Sequence, residues 1–284
     1  MADVKKAFVT GWPVNHSRSP MIHGYWLKQH GLEGRGDYVK RPCEPENFNA
    51  FISQMADEGF VGGNVTVPHK ETVYKMLAQP EPAAAALGAA NTVWLENGQL
   101  CGTNTDGYGF LANLDERRPG WDDQENLARG ALVLGAGGAS RAIIYALLER
   151  GFEQVLIANR TLSRAEELVR QFGPKCQAVT LGEIDPASCN PSFIVNTTSI
   201  GMNDGQSPLD LTGFPSDTLV HDIVYTPLMT PLLEQAQQLG MPVVDGLGML
   251  LHQAVPGFEK WFGVRPQVDE KLRRMILQDL GEAV

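Results

Sequence analysis

The sequence predicts an α/β protein of two domains, the second a doubly wound parallel sheet. Three observations carry this. A length of 284 residues suits about two domains. From Ala131 onward, short apolar runs alternate with helical patterns, the runs falling at 131–134, 154–158, 177–179, 193–195, 218–222 and 242–244. Strands separated by helices at this spacing form parallel sheets. Finally, the first run leads directly into Gly135-Ala136-Gly137-Gly138-Ala139-Ser140. A helix pattern follows, with Ala139, Ala142, Ile143, Ala146 and Leu147 on one face and Gly151 as its stop.

A strand, a glycine turn and a helix in this order resemble a dinucleotide fingerprint. Gly135 permits a tight turn. Gly137 has no Cβ, so a pyrophosphate can approach the backbone and face the N–H groups of the helix N-terminus. Ser140 stands at the third position, where Gly or Ala is usual. The next strand ends at Asn159-Arg160-Thr161, with Arg164 one turn on. No acid is present there to hold ribose hydroxyls. Two guanidinium groups and a hydroxyl suit a 2′-phosphate, so the expected cofactor is NADP. Read alone, the same residues also suit a solvated helix start.

The chain before this domain begins with a strand at 6–11 and a polar loop through Trp12-Pro13-Val14-Asn15-His16-Ser17-Arg18. Ser19-Pro20 fits an N-cap followed by proline at the first helical position, opening a helix at 21–30. Further elements are a strand at 37–41, a helix at 45–58, a strand at 59–67, and a helix after Pro68-His69-Lys70. The alanine-rich stretch 81–88 reads as helical. A hairpin follows, turning at Asn97-Gly98, then a helix at 107–116. Residues 117–129 read as a polar surface connection. After Gly246 come a helix over 249–262, bent or broken at Pro256, and a last helix at 267–280. The predicted domains are 1–106, completed by 246–284, and 107–245.

Composition narrows the function. Hydrophobic residues make up 43% and charged residues 20%, as in ordinary globular proteins. A net charge of −10 argues against nucleic acid and anionic membrane partners. Cys43, Cys101, Cys176 and Cys189 form no CxxC pair, so they read as reduced thiols. Met1-Ala2-Asp3-Val4-Lys5-Lys6 lacks a signal-peptide core, and no apolar run could span a membrane. The expectation is a cytoplasmic monomer or homodimer that binds small molecules and no metal.

Seven stretches now stand in order. They are Ser17-Arg18-Ser19-Pro20, Asn64-Val65-Thr66-Val67-Pro68-His69-Lys70, Gly88-Ala89-Ala90-Asn91-Thr92 and Gly102-Thr103-Asn104-Thr105-Asp106-Gly107, then the glycine turn, Asn159-Arg160-Thr161, and Asp245-Gly246-Leu247-Gly248-Met249-Leu250-Leu251-His252-Gln253-Ala254. In this order they closely resemble the shikimate dehydrogenase family along essentially the whole chain. The resemblance implies an N-terminal α/β substrate domain, a Rossmann-type doubly wound NADP-binding domain, and C-terminal helices returning to the first domain. It implies reversible, NADPH-dependent reduction of 3-dehydroshikimate to shikimate, a step toward chorismate and the aromatic amino acids. It makes Lys70 and Asp106 the catalytic pair. Ser17 and Ser19 would hold the substrate carboxylate, and Thr66, Asn91, Tyr225 and Gln253 the carboxylate end or ring hydroxyls. Cofactor contacts would come from Gly135, Ala136, Gly137, Gly138, Ala139, Asn159, Arg160, Thr161, Arg164, Thr198, Ile223 and Gly246, the last beside the nicotinamide. Gly24 after His23, where many members have Asn, and Ile200-Gly201-Met202 depart from the family pattern without touching these positions.

The chemistry suits these residue types. A secondary alcohol that loses hydride also loses its hydroxyl proton, which needs an acceptor within hydrogen-bond reach. Desolvation lowers a lysine pKa and a neighbouring carboxylate raises it, so Lys70 and Asp106 can titrate as a unit. A plain salt bridge between them is the bland alternative. Ser17 and Ser19 alone could be a helix cap and its neighbour, Asn91 turn chemistry, and Tyr225 a packed loop aromatic. His16, His69 and His252 lack metal-ligand spacing and read as structural. Rival functions are a quinate or aminoshikimate dehydrogenase and, from another class, a non-catalytic ligand sensor. The sensor has no need of a proton acceptor.

Overall fold

The structure, a computed structural model, describes residues 4–202 and 205–282. Met1, Ala2 and Asp3 of the N-terminal expectation lie outside them. Two compact units emerge, one of residues 1–106 and 251–284, the other of residues 107–250.

The first unit opens with β1 (Lys5–Gly11), α1 (Ser19–Gln29), β2 (Gly36–Pro42), α2 (Pro45–Gln54), β3 (Phe60–Val65) and α3 (Lys70–Met76). It continues through β4 (Gln79–Pro80), α4 (Pro82–Leu87), β5 (Thr92–Glu96) and β6 (Gln99–Thr103). The strands form one mixed sheet in the order β2-β1-β3-β5-β6-β4. β2 and β3 run parallel to β1, whereas β5 is antiparallel to both β3 and β6. The hairpin turn lies at Asn97 and Gly98, whose φ values of 52° and 76° are those such a turn requires. One side of the core gathers Phe8, Phe48, Phe51, Ile52, Met55, Phe60 and Val73 from the strands, α2 and α3.

The second unit begins with α5 (Asp106–Arg117), whose first residue belongs to the first unit, then α6 (Gln124–Arg129). There follow β7 (Ala131–Leu134), α7 (Gly138–Arg150), β8 (Val155–Asn159), α8 (Leu162–Phe172), β9 (Cys176–Thr180), β10 (Phe193–Asn196), β11 (Leu219–Asp222), α9 (Pro231–Gln238) and β12 (Val243–Val244). Their order is β12-β11-β10-β7-β8-β9, all parallel, which is the doubly wound arrangement. Burial on both faces explains the unbroken apolar strands. Ala131, Val133, Phe193 and Val195 face one core with Phe110, Ile143 and Leu147. Leu132, Leu134 and Ile194 face another with Leu211, Leu232 and Leu233.

The return runs through α10 (Leu247–His252), α11 (Val255–Phe262) and α12 (Glu270–Leu280). α11 packs on β1, β3 and β5, and α12 on α1, all within the first unit. Buried Trp261 donates its indole N–H to the Val93 carbonyl at 2.9 Å, and Trp26 donates to the Gln267 carbonyl at 2.9 Å. Each large ring thus buries its apolar body with its one donor satisfied.

Several expectations need correction. The chain passes back at Leu251, not Gly246. Asn113 donates to the Asp245 carbonyl at 2.8 Å, and Met249 packs on the second unit's core, which keeps 246–250 there. The final helical region breaks before Val255, because Pro256 sits in the first turn of α11 rather than kinking a helix interior. α1 has Arg18 as N-cap, without a side-chain cap bond, and Ser19 is its first residue. The oxygen serving the Ser19 N–H is Ser17 Oγ, at 3.3 Å. The polar stretch 117–129 contains α6, whose N-cap Asp123 accepts from the Asn126 N–H.

Candidate active site

Within the first unit, three side chains converge. Lys70 opens α3, and Asp106 opens α5 just beyond β6. Lys70 Nζ donates to Asp106 Oδ2 at 2.6 Å, with the two side chains 29% and 20% exposed. Asn91, buried before β5, donates through Nδ2 to the other carboxylate oxygen at 2.8 Å. Asn91 is itself fixed: its Oδ1 accepts from the Thr105 N–H at 2.9 Å, from Thr105 Oγ1 at 3.1 Å and from Thr92 Oγ1 at 3.0 Å. Asn104 Oδ1 accepts the Asp106 N–H at 3.1 Å. Both oxygens of Asp106 are therefore oriented by donors, and the ammonium of Lys70 keeps further N–H groups for a substrate oxygen.

Sequence reasoning missed the support beneath Asn91. Tyr38 donates to Asn64 Oδ1 at 2.5 Å, and Asn64 Nδ2 donates to Thr92 Oγ1 at 3.1 Å. Asn64 opens one of the seven stretches, but its residue type alone indicates no role. His69 is structural: its Nε2 meets the Cys43 carbonyl at 2.8 Å and its ring stacks on Phe48 at 4.0 Å. Ser17 and Ser19 hydroxyls lie 3.2 Å apart, forming a small polar pair at the start of α1. Thr66 and Gln253 also belong to this unit, and both are half-buried.

The second unit offers a different surface. Gly135 adopts φ +109°, and a Cβ there would lie 2.8 Å from Thr197 Oγ1, so only glycine fits without strain. At Gly137 and Gly138 a Cβ would meet nothing within 4 Å, so this backbone is bare. Gly137 caps α7 with no side-chain bond, leaving the helix N–H groups open to an anion. Ser140 Oγ donates to the Gly137 carbonyl at 2.6 Å, which explains a hydroxyl at the third fingerprint position. Asn159 Nδ2 donates to the Thr161 carbonyl at 2.8 Å, shaping the loop that presents Arg160. Arg160 and Arg164 are exposed, and neither guanidinium has a partner among the described residues. An uncovered helix N-terminus beside two unpaired cations fits an NADP with its pyrophosphate and 2′-phosphate. Thr198 donates to Asn196 Oδ1 at 2.8 Å, and the Ile223 N–H donates to the Asn196 carbonyl at 3.1 Å. Tyr225 and Gly246 lie in this unit too. Among the described residues no group of His, Cys, Asp and Glu is arranged to hold a metal ion, and no helix is long and apolar enough to cross a membrane.

Comparison with known proteins agrees along the whole chain. Residues 9–93 match the shikimate dehydrogenase substrate binding domain, residues 123–200 match shikimate / quinate 5-dehydrogenase, and residues 246–270 match the shikimate 5′-dehydrogenase C-terminal domain. The shikimate dehydrogenase (NADP(+)) of Brucella abortus (strain S19) is 54% identical over 287 residues, covering 100% of this chain and 97% of that protein. A shikimate dehydrogenase solved in complex with NADP+ superposes with a TM-score of 0.88 at 33% identity, over 99% of this chain and 97% of its own. The Thermus thermophilus enzyme, solved with NADP(H) and shikimate, gives a TM-score of 0.81 at 35% identity, over 98% of this chain and 100% of its own. The chain belongs to the shikimate dehydrogenase family.

Proposed function

We propose that this protein is an NADP-dependent shikimate dehydrogenase, interconverting 3-dehydroshikimate and shikimate. The observation that carries this is the Lys70–Asp106–Asn91 constellation, in which a lysine and an oriented carboxylate stand 2.6 Å apart. Bound NADPH supplies the hydride. The residues of the chain handle the rest. Gly135 to Ala139 and the α7 N-terminus hold the pyrophosphate, and Arg160, Thr161 and Arg164 the 2′-phosphate. Ser17 and Ser19 donate hydroxyls to the substrate carboxylate, with Thr66, Tyr225 and Gln253 completing its orientation. As the carbonyl is reduced, its oxygen gains negative charge and takes a proton from the Lys70–Asp106 pair. Asn91 keeps Asp106 aimed at Lys70, so the pair acts as a unit and exchanges the proton with solvent afterwards. In the oxidising direction the same pair accepts the hydroxyl proton of shikimate. The protein acts in the cytoplasm, as a monomer or homodimer.

The test is absorbance of the reduced nicotinamide with shikimate and NADP+. Turnover that exceeds turnover of quinate in kcat/KM is the expected result. Quinate turnover equal to or above that of shikimate would make the chain a quinate dehydrogenase. Binding of both ligands without turnover would make it a sensor.

A further inference from the structure

A second buried polar cluster lies outside the residues assigned above. Asp222 ends β11 and is fully buried. Its Oδ1 accepts from the Val224 N–H at 2.9 Å, and both its oxygens accept from Asn196 Nδ2 at 3.1 Å. Oδ2 also accepts from Thr230 Oγ1 at 2.7 Å. Thr230 is the N-cap of α9, and Asn196 ends β10. One carboxylate therefore ties together the loop after β10, the loop after β11 and the start of α9.

These loops occupy a defined place. β10 pairs with β7, and the order of the sheet reverses between them, at the carboxyl ends where dinucleotides bind in such sheets. The loop after β10 touches the glycine turn: Thr197 Oγ1 donates to the Leu134 carbonyl at 2.7 Å and closes on Gly135. The loop after β11 touches Gly246, where a Cβ would lie 2.5 Å from the Ile223 carbonyl oxygen. Asn196 is spanned in both directions, since its Oδ1 holds the Thr198 N–H at 3.0 Å and its Nδ2 reaches the Ile200 carbonyl at 3.2 Å.

We propose that Asp222 is a positioning residue for the nicotinamide half of the cofactor site, locking Thr198, Ile223 and Gly246 in place through Asn196 and Thr230. The inference rests on those three residues being cofactor contacts. Every group around the carboxylate is a donor, so an acceptor with two ionised oxygens satisfies all of them at once. An amide of the same shape supplies only one acceptor oxygen and turns an N–H toward donors. The loops then lose their common anchor, while the segment that carries Arg160, just after β8, and Arg164, in the first turn of α8, keeps its own.

The experiment measures Kd by calorimetry for NADP+ and for adenosine 2′,5′-bisphosphate, which carries the 2′-phosphate but no nicotinamide. Asp222→Asn, Thr230→Val and Thr230→Ser are compared with the unmodified chain. Losing charge-assisted bonds here weakens NADP+ about tenfold in Asp222→Asn and less in Thr230→Val. The bisphosphate changes less than about twofold, and Thr230→Ser restores the NADP+ affinity by returning the hydroxyl. Equal weakening of both ligands would overturn the inference, because the cluster would then be merely structural. Unchanged NADP+ affinity in Thr230→Val would overturn it as well, whether or not Asp222→Asn folds. An unmodified chain that binds neither ligand would overturn the cofactor assignment beneath it.

Discussion

The two units solve opposite problems. In the first, the site consists of side chains that hold one another: Lys70 and Asn91 grip the two oxygens of Asp106, and Thr92, Thr105 and Asn64 hold Asn91. In the second, the ledge proposed for the cofactor consists of backbone kept bare at Gly137 and Gly138, with uncommitted cations beside it. Proton transfer needs groups aimed beforehand, because misplaced donors lose most of their effect. A polyphosphate needs room and free N–H groups. The first site should therefore fail when atoms are removed, and the second when atoms are added.

The largest expected effect breaks the first site. Lys70→Met should leave both ligands bound and lower kcat by about 10²–10⁴, the usual worth of a positioned acid–base group. Steady-state kinetics with circular dichroism measure this, and the KM for shikimate should move far less than kcat.

Next comes the ledge. Arg160→Ala should weaken NADP+ by about one to two decades and leave NAD+ nearly unchanged, since a charged hydrogen bond is worth ~1.5–3 kcal/mol. Equal losses for the two cofactors would remove Arg160 from the 2′-phosphate site.

The neighbouring glycines sharpen the contrast. Gly137 has φ −100° and open space around its missing Cβ. Gly137→Ala should leave the melting temperature unchanged and weaken NADP+ about tenfold by filling the pyrophosphate's approach. Gly135→Ala, with φ +109° and Thr197 in the way, should instead destabilise the second unit by ~1–3 kcal/mol. Thermal melts beside titrations separate the two outcomes.

Much of this architecture is legible in the order of the residues. The β7 turn and α7 stand out because apolar runs, glycines and helical periodicity coincide within about one βα unit. Lys70 and Asp106 are 36 residues apart, and only the ordered motifs pair them. The contact of Asn91 with Asp106 is not legible, because Asn91 taken alone is ordinary turn chemistry and nothing in the order of residues aims its amide at a carboxylate 15 residues on. The same holds for Asp222, Asn196 and Thr230, which meet only once β10 and β11 pair. α6 escapes because it buries no residue and so shows no apolar stripe. Ser19 looks like a cap in the sequence, yet Ser17, two residues earlier, supplies the acceptor instead.

A further effect concerns pH, and it too divides the units. Burial pushes His23, stacked between Tyr38 and Phe258, down to about 3, and His221 down to about 4, from an ordinary 6.5. The unfolded chain takes up these protons below 6.5 and the folded chain does not, so stability falls as pH drops from 6.5 toward 4. Burial pushes the carboxyl of Asp222 up to about 6 from 3.8. Between those values the folded chain binds the extra proton, so Asp222 adds stability as pH falls. His221 and Asp222 oppose each other in the second unit, whereas among the described residues of the first unit no carboxyl pushed upward in this way offsets His23. Hydrogen exchange at pH 4.5 against pH 6.5 should show the first unit losing protection by roughly 2 kcal/mol, and His23→Phe should flatten that loss. Uniform loss in both units would contradict it.

The central claim is that Lys70 and Asp106 move the proton as one device. Its most direct test is the double-mutant cycle of Lys70→Met and Asp106→Asn, read as kcat for shikimate oxidation by NADP+. Each single substitution should be severe, and the double should lose much less than the product of the two, because groups acting as a unit are non-additive. Independent losses that multiply, or a Lys70→Met enzyme with near-normal kcat and a KM raised about tenfold, would contradict it and make Lys70 a binding residue.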